Sequence, residues 1–230
     1  MTNNLPEFKV NELLSDSLCE PSIDLAVEYA ELSFDELVNE VAEEIPFVRT
    51  LVTVGKTGLA IKEAHFVKKT LSFLKKFHTG DYDEEKMKRF REKMNCDAEY
   101  RNKVTNKIIV FIDKLSSEKK AKILSRLFIA HINEEYDWKT FIDLTKCLDS
   151  MFLLDFDVLT YLYNSNEPVK IKNISLKERE VNTYLLLASI ERLKSFGFIA
   201  SKKPTWKSVG EEKEERVFLN SIGKKFIHYV

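Results

Sequence analysis

The sequence predicts a mainly α-helical protein, with an N-terminal multi-helix bundle followed by a small α+β domain. Three observations support this. The chain has 230 residues, of which 44% are hydrophobic, so it can form one large core or two small ones. It has only 6 glycines and 5 prolines, fewer than the turns of a sheet-rich fold require. Apolar residues recur at helical spacing along most of the chain, and this pattern changes after Leu154.

The pattern divides the chain into three expected parts. We expect residues 1–20 to be weakly ordered. Residues 21–154 are expected to form the helical domain, and residues 155–230 the small α+β domain. A capping box that begins at Ser33 predicts a helix start within the acidic segment that precedes residue 45.

The most apolar and least interrupted stretch is residues 45–77, which we expect to form one or two central helices. Pro46 marks its start, because proline fits the first turn of a helix without losing a hydrogen bond. Charged residues interrupt the stretch at short intervals. It is therefore not a conventional transmembrane helix, and no stable membrane insertion is expected.

Four lysines of this stretch form a candidate interaction surface. They flank apolar residues between Phe66 and Phe77, and they are Lys68, Lys69, Lys75 and Lys76. An amphipathic helix with such a basic face can lie on a membrane surface. The simpler interpretation, which we favour, is that the lysines form the solvated face of a helix that packs in the core.

More helices are predicted beyond the central stretch. Gly80 is expected to cap its C-terminal end. Periodic apolar residues separated by short polar turns then predict an antiparallel helical bundle. The expected helices cover residues 83–94, residues 98–115, a segment that opens at residues 116–118 and ends near 133, and residues 137–154.

Part of this helical domain resembles a motif in small helical proteins of bacteria and their phages. The matching residues are Ile45, Pro46, Lys56, Gly58, Ile61, Phe66, Lys68, Lys69, Phe73 and Leu74. The similarity extends through the region of Asp149 and Phe152 and covers residues 40–165 in all. The resemblance implies a bacterial or phage protein with phage–host conflict as its setting, and it implies no catalytic residue.

Short helices and strands are predicted after residue 154. A capping box that begins at Ser175 predicts a helix from there to about Ser195, and Gly197 is expected to end it. The other expected elements are a helix over Asp155–Tyr163, a short strand over Pro168–Ile171, and two strands over Phe198–Lys202 and Arg216–Leu219.

This order of elements resembles a winged-helix domain. The segment ERLKSFGFI, residues 191–199, is similar to the end of a recognition helix in such domains. The segment LNSIGKKF, residues 219–226, is similar to the element that follows the wing. The resemblance covers residues 155–230 and implies a winged-helix-like fold with a two-stranded wing.

A winged helix that binds DNA inserts the start of its recognition helix into the major groove. The candidate nucleic-acid-binding residues are Arg179, Asn182, Thr183 and Tyr184 on that helix, and Lys202, Lys203 and Lys207 in the wing. However, four glutamates lie between residues 211 and 215, and residues 155–230 hold 10 acidic and 13 basic residues, a net charge of only +3. A winged helix that binds protein or is purely structural is therefore favoured over a DNA reader.

No recognised catalytic motif occurs in the sequence, which lacks a phosphate-binding loop, a dinucleotide-binding glycine motif, HExxH and GxSxG. The four histidines have no metal-ligand spacing, and Cys19, Cys96 and Cys147 include no CxxC pair. We therefore expect no enzyme, no cofactor and no metal. Sparse cysteines and the absence of a secretory signal predict a cytoplasmic location.

These features predict a non-enzymatic cytoplasmic protein of a bacterium or phage that acts through macromolecular interaction. A protein partner or a second copy of the chain is the expected partner. The alternative is a winged-helix DNA-binding regulator. A membrane-surface effector that acts through residues 45–77 is a third and less favoured interpretation.

Overall fold

The structure, a computed structural model, describes residues 5–19, 60–165, 167–176, 182–202 and 215–230. This part of the chain is mainly helical, which confirms the predicted class, and it contains a small three-stranded antiparallel sheet. The chain forms two compact units, which divide between Asp149 and Ser150. The boundary expected from the sequence, after residue 154, falls a few residues further on.

The described part of the N-terminal unit contains α1 (Leu5–Cys19), α2 (Ala60–His78), α3 (Glu84–Cys96), α4 (Ala98–Lys114), α5 (Glu118–Ile132) and α6 (Trp138–Ser150). The helices predicted at α3, α4 and α5 are confirmed. Their starts have a common cause, because the side chains of Asp83, Asp97 and Ser117 each accept a hydrogen bond from a backbone N–H in the first turn.

Phenylalanine rings fill the core of the N-terminal unit between α2 and α5. Phe73 and Phe77 on α2 have ring centroids 6.3 and 5.8 Å from that of Phe128 on α5. The Phe128 centroid lies 5.6 Å from that of Phe141 on α6. All four side chains are fully buried, and each contributes about 1.5–3 kcal/mol by burial. The cluster therefore holds α2, α5 and α6 together.

Helix α1 lies within residues 1–20, which we expected to be weakly ordered. Its Leu14 and Leu18 side chains are fully buried, and the helix packs against α3 and α4. Packing of an apolar side stabilises a helix that local propensity alone leaves marginal. Contacts with α3 and α4, which the local sequence pattern does not reveal, therefore stabilise α1.

Gly80 follows α2, but it does not have the left-handed conformation expected of a glycine cap. A Cβ atom at this position would collide with the side chain of Ile129 on α5. Gly80 therefore lies in close contact with α5 and does not act as a left-handed cap. The Ser33 capping box and residues 45–59 of the central stretch lie outside the described residues.

The single helix expected over residues 137–154 is divided in the structure. Helix α6 ends at Ser150, and a new helix, α7, begins at Leu153. Asp155 explains the restart, because its Oδ2 atom accepts the backbone N–H of Phe152 at 2.7 Å. A carboxylate in the first turn commonly reaches back in this way to a backbone N–H at the helix start.

The described part of the C-terminal unit contains α7 (Leu153–Ser165), β1 (Val169–Lys170), a 3-10 turn (Ile171–Asn173), α8 (Thr183–Ser195), β2 (Ile199–Lys202), β3 (Arg216–Leu219) and α9 (Ser221–Ile227). The three strands lie within the predicted segments and form an antiparallel sheet in the order β1-β3-β2. In its register, Val169 pairs with Val217, and Ile199 pairs with Leu219.

Helix α8 begins later than the capping box at Ser175 predicted. Asn182 is the N-cap, and its Oδ1 atom accepts the backbone N–H of Tyr184 at 2.9 Å. Residues 174–176 form no helix. A capping box is only a local signal, and a second cap residue closer to the periodic apolar segment defines the start here.

Gly197 ends α8 as predicted, with a φ angle of 73°. The backbone N–H of Gly197 donates to the carbonyl of Lys194 at 2.9 Å, and that of Phe198 donates to the carbonyl of Leu193 at 3.0 Å. This pair of bonds is the Schellman arrangement, in which glycine takes the left-handed position without steric cost. It turns the chain directly from α8 into β2.

We expect Gly223→Ala to destabilise the C-terminal unit, although alanine is the better helix former by about 1 kcal/mol. Gly223 lies in α9, and a Cβ atom there would collide with the backbone carbonyl of Phe198. Overpacking of this kind costs about 1–3 kcal/mol. Urea unfolding followed by circular dichroism measures the change, with Ser221→Ala at the exposed start of α9 as the control. An increase in stability would show that α9 can move away from Phe198.

Candidate functional site

Helix α8 separates its residues sharply into a buried side and an exposed side. Leu186, Ser189, Ile190 and Leu193 are buried in the C-terminal unit, at the three- and four-residue spacing of one helix face. The opposite side carries Tyr184, Leu187, Ala188 and Glu191, which are exposed. We call these four residues the α8 face.

The exposed surface on and beside α8 is unusually apolar. Its large side chains have exposed fractions of 81% for Tyr184, 62% for Leu185, 38% for Leu187, 63% for Phe152 and 68% for Leu153. With about 200 Å² for a whole large side chain, these fractions sum to roughly 600 Å², shared between two sides of α8 because Leu185 and Leu187 are about 160° apart around the helix. Exposed apolar side chains grouped in this way often mark a binding site.

A buried carboxylate holds α8 in this orientation. Asp155 on α7 is fully buried and accepts a hydrogen bond from Ser189 Oγ at 2.6 Å. It also forms a bidentate ion pair with Arg192, whose Nε and Nη2 atoms lie 2.7 and 2.8 Å from its two oxygens. Ser189 and Arg192 are three residues apart and therefore on one side of α8. Asp155 thus fixes which side of α8 faces solvent.

Arg192 also connects α8 to the start of α7. Its guanidinium group lies 4.5 Å from the ring centroid of Phe152, a cation–π contact with a largely exposed ring. The bonds to Asp155 raise the pKa of Arg192, against the opposing effect of its burial. Leu185 and Arg192 are two helical turns apart and therefore lie on the same side of α8. Phe152 lies beside α8 on that side. Leu153, the next residue in the chain, extends the exposed apolar surface.

The second basic residue of α8 is also paired. Lys194 Nζ lies 2.7 Å from an oxygen of Glu191 and 2.8 Å from one of Glu215. Burial alone would lower the pKa of Lys194, but the bonds to Glu191 and Glu215 outweigh it and raise the pKa. Both cations of α8 are thus engaged by carboxylates, and Glu191 itself is exposed.

The candidate nucleic-acid-binding residues fall partly within the described chain. Asn182, Thr183 and Tyr184 lie together at the exposed start of α8, where the Asn182 side chain caps the helix. Lys202 is exposed at the end of β2, with its Nζ atom 5.5 Å from the ring centroid of Phe218. Arg179, Lys203 and Lys207 lie outside the described residues.

The four lysines of α2 do not form one solvated face. Lys69 is buried, and its Nζ atom donates to the carbonyls of Asp113 at 2.7 Å and Leu115 at 2.8 Å. Burial lowers the pKa of Lys69, and Asp113 and Asp149 oppose this effect. The Lys69 side chain therefore satisfies the C-terminal end of α4. The other three, Lys68, Lys75 and Lys76, are half-buried.

The apolar residues between these lysines lie in the core and not on the surface. Val67, Leu71, Phe73, Leu74 and Phe77 are all buried. Within the described residues, no helix is both long and apolar enough to cross a membrane. Contact with a membrane surface through residues 67–77 would require the core of the N-terminal unit to open, which corrects that interpretation for this segment.

The chain matches no protein-family model, and neither curated proteins nor solved structures include a significant match to it. Its class is therefore defined by its own geometry. It is a two-unit helical protein whose C-terminal unit presents an apolar helix face to solvent. Among the described residues, no group of three or more histidine, cysteine or acidic side chains is arranged to hold a metal ion.

The exposed apolar surface was missed at the sequence level, although a signal for it is present. Residues 184–187 are Tyr-Leu-Leu-Leu, a run of four apolar residues in a helix. One buried face of a helix accommodates about half of such a run, so the remainder must be exposed or covered by a partner.

We expect Lys69→Met to destabilise the N-terminal unit by about 1–3 kcal/mol, because it leaves the carbonyls of Asp113 and Leu115 without their donor. Lys68→Met is the matched control at a half-buried neighbour, with an expected change within about 0.5 kcal/mol. Urea unfolding of both variants measures the difference. Equal stability of the two variants would contradict a structural role for Lys69.

Proposed function

We propose that this is a non-enzymatic protein-binding protein and that the α8 face, together with Leu185, Phe152 and Leu153, is its docking surface. One observation carries the proposal, namely the group of exposed apolar side chains on and beside α8, which sum to roughly 600 Å². Water-exposed apolar area of this size gains free energy when a partner covers it. The surface includes Tyr184, and tyrosine is among the residue types that most often dominate binding energy.

The docking helix belongs to a C-terminal unit that we propose to be winged-helix-like. The order of helix, strand, helix and two strands supports this proposal, as do the positions of Gly197 and Gly223 in the segments that resemble such domains. In this interpretation α8 is the helix that a DNA-binding member of the class would place in the major groove. Here that helix carries an apolar face, which suits a protein and not a nucleic acid.

A DNA-binding regulator is the second candidate, favoured by the exposed positions of Asn182, Thr183 and Lys202. The charges of Lys194 and Glu191 argue against DNA binding by α8. Lys194 is already paired with Glu191 and Glu215, and the exposed Glu191 on the α8 face would repel phosphate. A protein that neutralises few phosphates binds DNA weakly and with a small salt dependence.

The resemblance of residues 40–165 to helical proteins of bacteria and phages supports a bacterial or phage setting for this interaction, with phage–host conflict as the proposed context. In this proposal the N-terminal unit is a helical support and has no catalytic role. Its lysines act at helix ends, as Lys69 does at the end of α4.

Site-specific photo-crosslinking tests the docking surface in cells. We expect Leu185→p-benzoylphenylalanine to form a defined protein adduct on irradiation, because the side chain is exposed on the proposed docking surface. The matched control is Ile222→p-benzoylphenylalanine on α9, which replaces a similarly exposed apolar residue on another helix. No adduct at either position, or equal adducts at both, would contradict the proposal.

Binding to labelled duplex DNA across a salt series tests the second candidate. We expect no salt-sensitive binding by the purified chain, since both α8 cations are paired. Tight binding that weakens with salt and is reduced by Lys202→Glu would favour the regulator instead. Lys119→Glu, at an exposed position in the N-terminal unit, is the control for a general change in charge.

A further inference from the structure

A groove of about 470 Å³ lies within the C-terminal unit, between the end of α7, the segment before β1, the end of β3 and α9. Sites for small ligands commonly have volumes of about 300–1,000 Å³. Leu162 and Leu219 line the groove and are almost fully buried, and Tyr163 and Phe218 line it as well. The groove therefore offers apolar contacts to a ligand of small size.

The sheet lacks one backbone pair at this groove. The register that pairs Val169 with Val217 would next form a hydrogen-bonded pair between Glu167 and Leu219. The backbone N–H of Glu167 donates instead to the carbonyl of Ser165 at 2.6 Å, and no backbone hydrogen bond joins Glu167 to Leu219. The segment before β1 therefore departs from β3 at this point, and the groove lies where the pair is missing.

The backbone of Leu219 points toward this gap. The N–H of the next residue, Asn220, donates to the carbonyl of Phe198 at 3.2 Å, on the β2 side of β3. Consecutive residues of a strand direct their backbone groups to opposite neighbours, so the N–H and C=O of Leu219 point to the β1 side. Backbone groups of a buried residue are nearly always hydrogen-bonded. A ligand that brings a carbonyl and an N–H into the groove therefore satisfies both groups.

Two opposite charges also line the groove. Glu167 supplies a carboxylate and Lys224 an ammonium group, and both residues are exposed. Neither side chain forms an ion pair or a hydrogen bond with another residue of the described chain. A ligand with one ammonium and one carboxylate group can therefore pair with both.

We propose that this groove binds a short free peptide, whose backbone pairs with Leu219 and whose two charged termini pair with Glu167 and Lys224. Addition of a peptide backbone to an unpaired strand is a common mode of peptide recognition. A cavity of this volume is about 8 Å across, and an extended chain advances about 3.3 Å per residue, so about two residues fit. The site is separate from the α8 face and does not depend on the proposed docking function.

The peptide is recognised by groups that all its relatives share, and its side chains add apolar contacts. Tyr163 is held against His228 by a T-shaped contact with ring centroids 5.5 Å apart, and Phe218 is half-buried. Aromatic side chains of this kind suit apolar side chains of the ligand. An interior segment of a protein has no charged termini, so the two charges select a free dipeptide over a longer chain.

An NMR titration of the full isotope-labelled chain with the dipeptide leucylphenylalanine tests the site. We expect saturable binding and a downfield shift of the Leu219 amide signal, because a ligand carbonyl then accepts its N–H. The amide signal of Ala188, exposed on α8, is expected to stay in place. No saturable binding, or a shift of Ala188 without a shift of Leu219, would overturn the proposal.

Blocked dipeptides test the two charge contacts. We expect N-acetylation of the dipeptide and Glu167→Gln each to weaken binding by up to about fivefold, as for an exposed ion pair. The two changes remove the same contact, so acetylation should have no further effect in Glu167→Gln. Amidation of the carboxylate and Lys224→Met should behave in the same way. Full and independent effects of each peptide block in these variants would contradict the assigned contacts.

A variant that fills the groove tests its position. Asn164 lines the groove from an exposed position at the end of α7, so Asn164→Trp is expected to abolish binding while circular dichroism shows an unchanged fold. Asn102→Trp, the same substitution at an exposed position on α4, is the matched control and keeps wild-type affinity. Equal affinity of the two variants would place the peptide elsewhere and overturn the proposal.

Discussion

The architecture of the C-terminal unit depends on one buried carboxylate. Asp155 is fully buried, and a charge in that position is tolerated only when it is paired and hydrogen-bonded. It meets this condition with Arg192, Ser189 and the backbone N–H of Phe152. Because Ser189 and Arg192 lie on one side of α8, rotation of the helix by one residue, about 100°, would break both contacts. The carboxylate therefore holds the apolar α8 face on the side of the helix that is exposed in the described part of the C-terminal unit.

Several lysine side chains in the N-terminal unit have a different role, because they donate hydrogen bonds to backbone carbonyls at the C-terminal ends of helices. Lys69, Lys86 and Lys120 donate hydrogen bonds to backbone carbonyls at the ends of α4, α5 and α6, respectively. Carbonyls in the last turn of a helix have no partner within it, and a cation there also interacts favourably with the helix dipole. A lysine-rich helix such as α2 can therefore be structural, which is why its lysine pattern was a poor guide to an interaction surface.

Local features were predictable from the sequence, whereas contacts between distant residues were not. The caps at Asp83 and Ser117, the glycine stop at Gly197 and the positions of the strands depend on a few neighbouring residues. The pairing of Asp155 with Arg192 joins residues 37 positions apart, and a single sequence holds no record of it. The burial of Lys69 and the exposure of the α8 face depend on tertiary packing in the same way. In the sequence, the proposed docking surface is therefore indicated only by residues 184–187, which contain more apolar residues than one buried helix face accommodates.

Thiol-labelling rates at two neighbouring positions of α8 test the central claim most directly, in a background where the three native cysteines are replaced. Ala188→Cys lies on the exposed side of α8, and Ile190→Cys lies on its fully buried side. If Asp155 fixes the orientation of the helix, the thiol at position 188 reacts much faster than the thiol at position 190, and Asp155→Ala reduces this difference. Equal rates with Asp155 in place, or an unchanged difference in Asp155→Ala, would contradict the account.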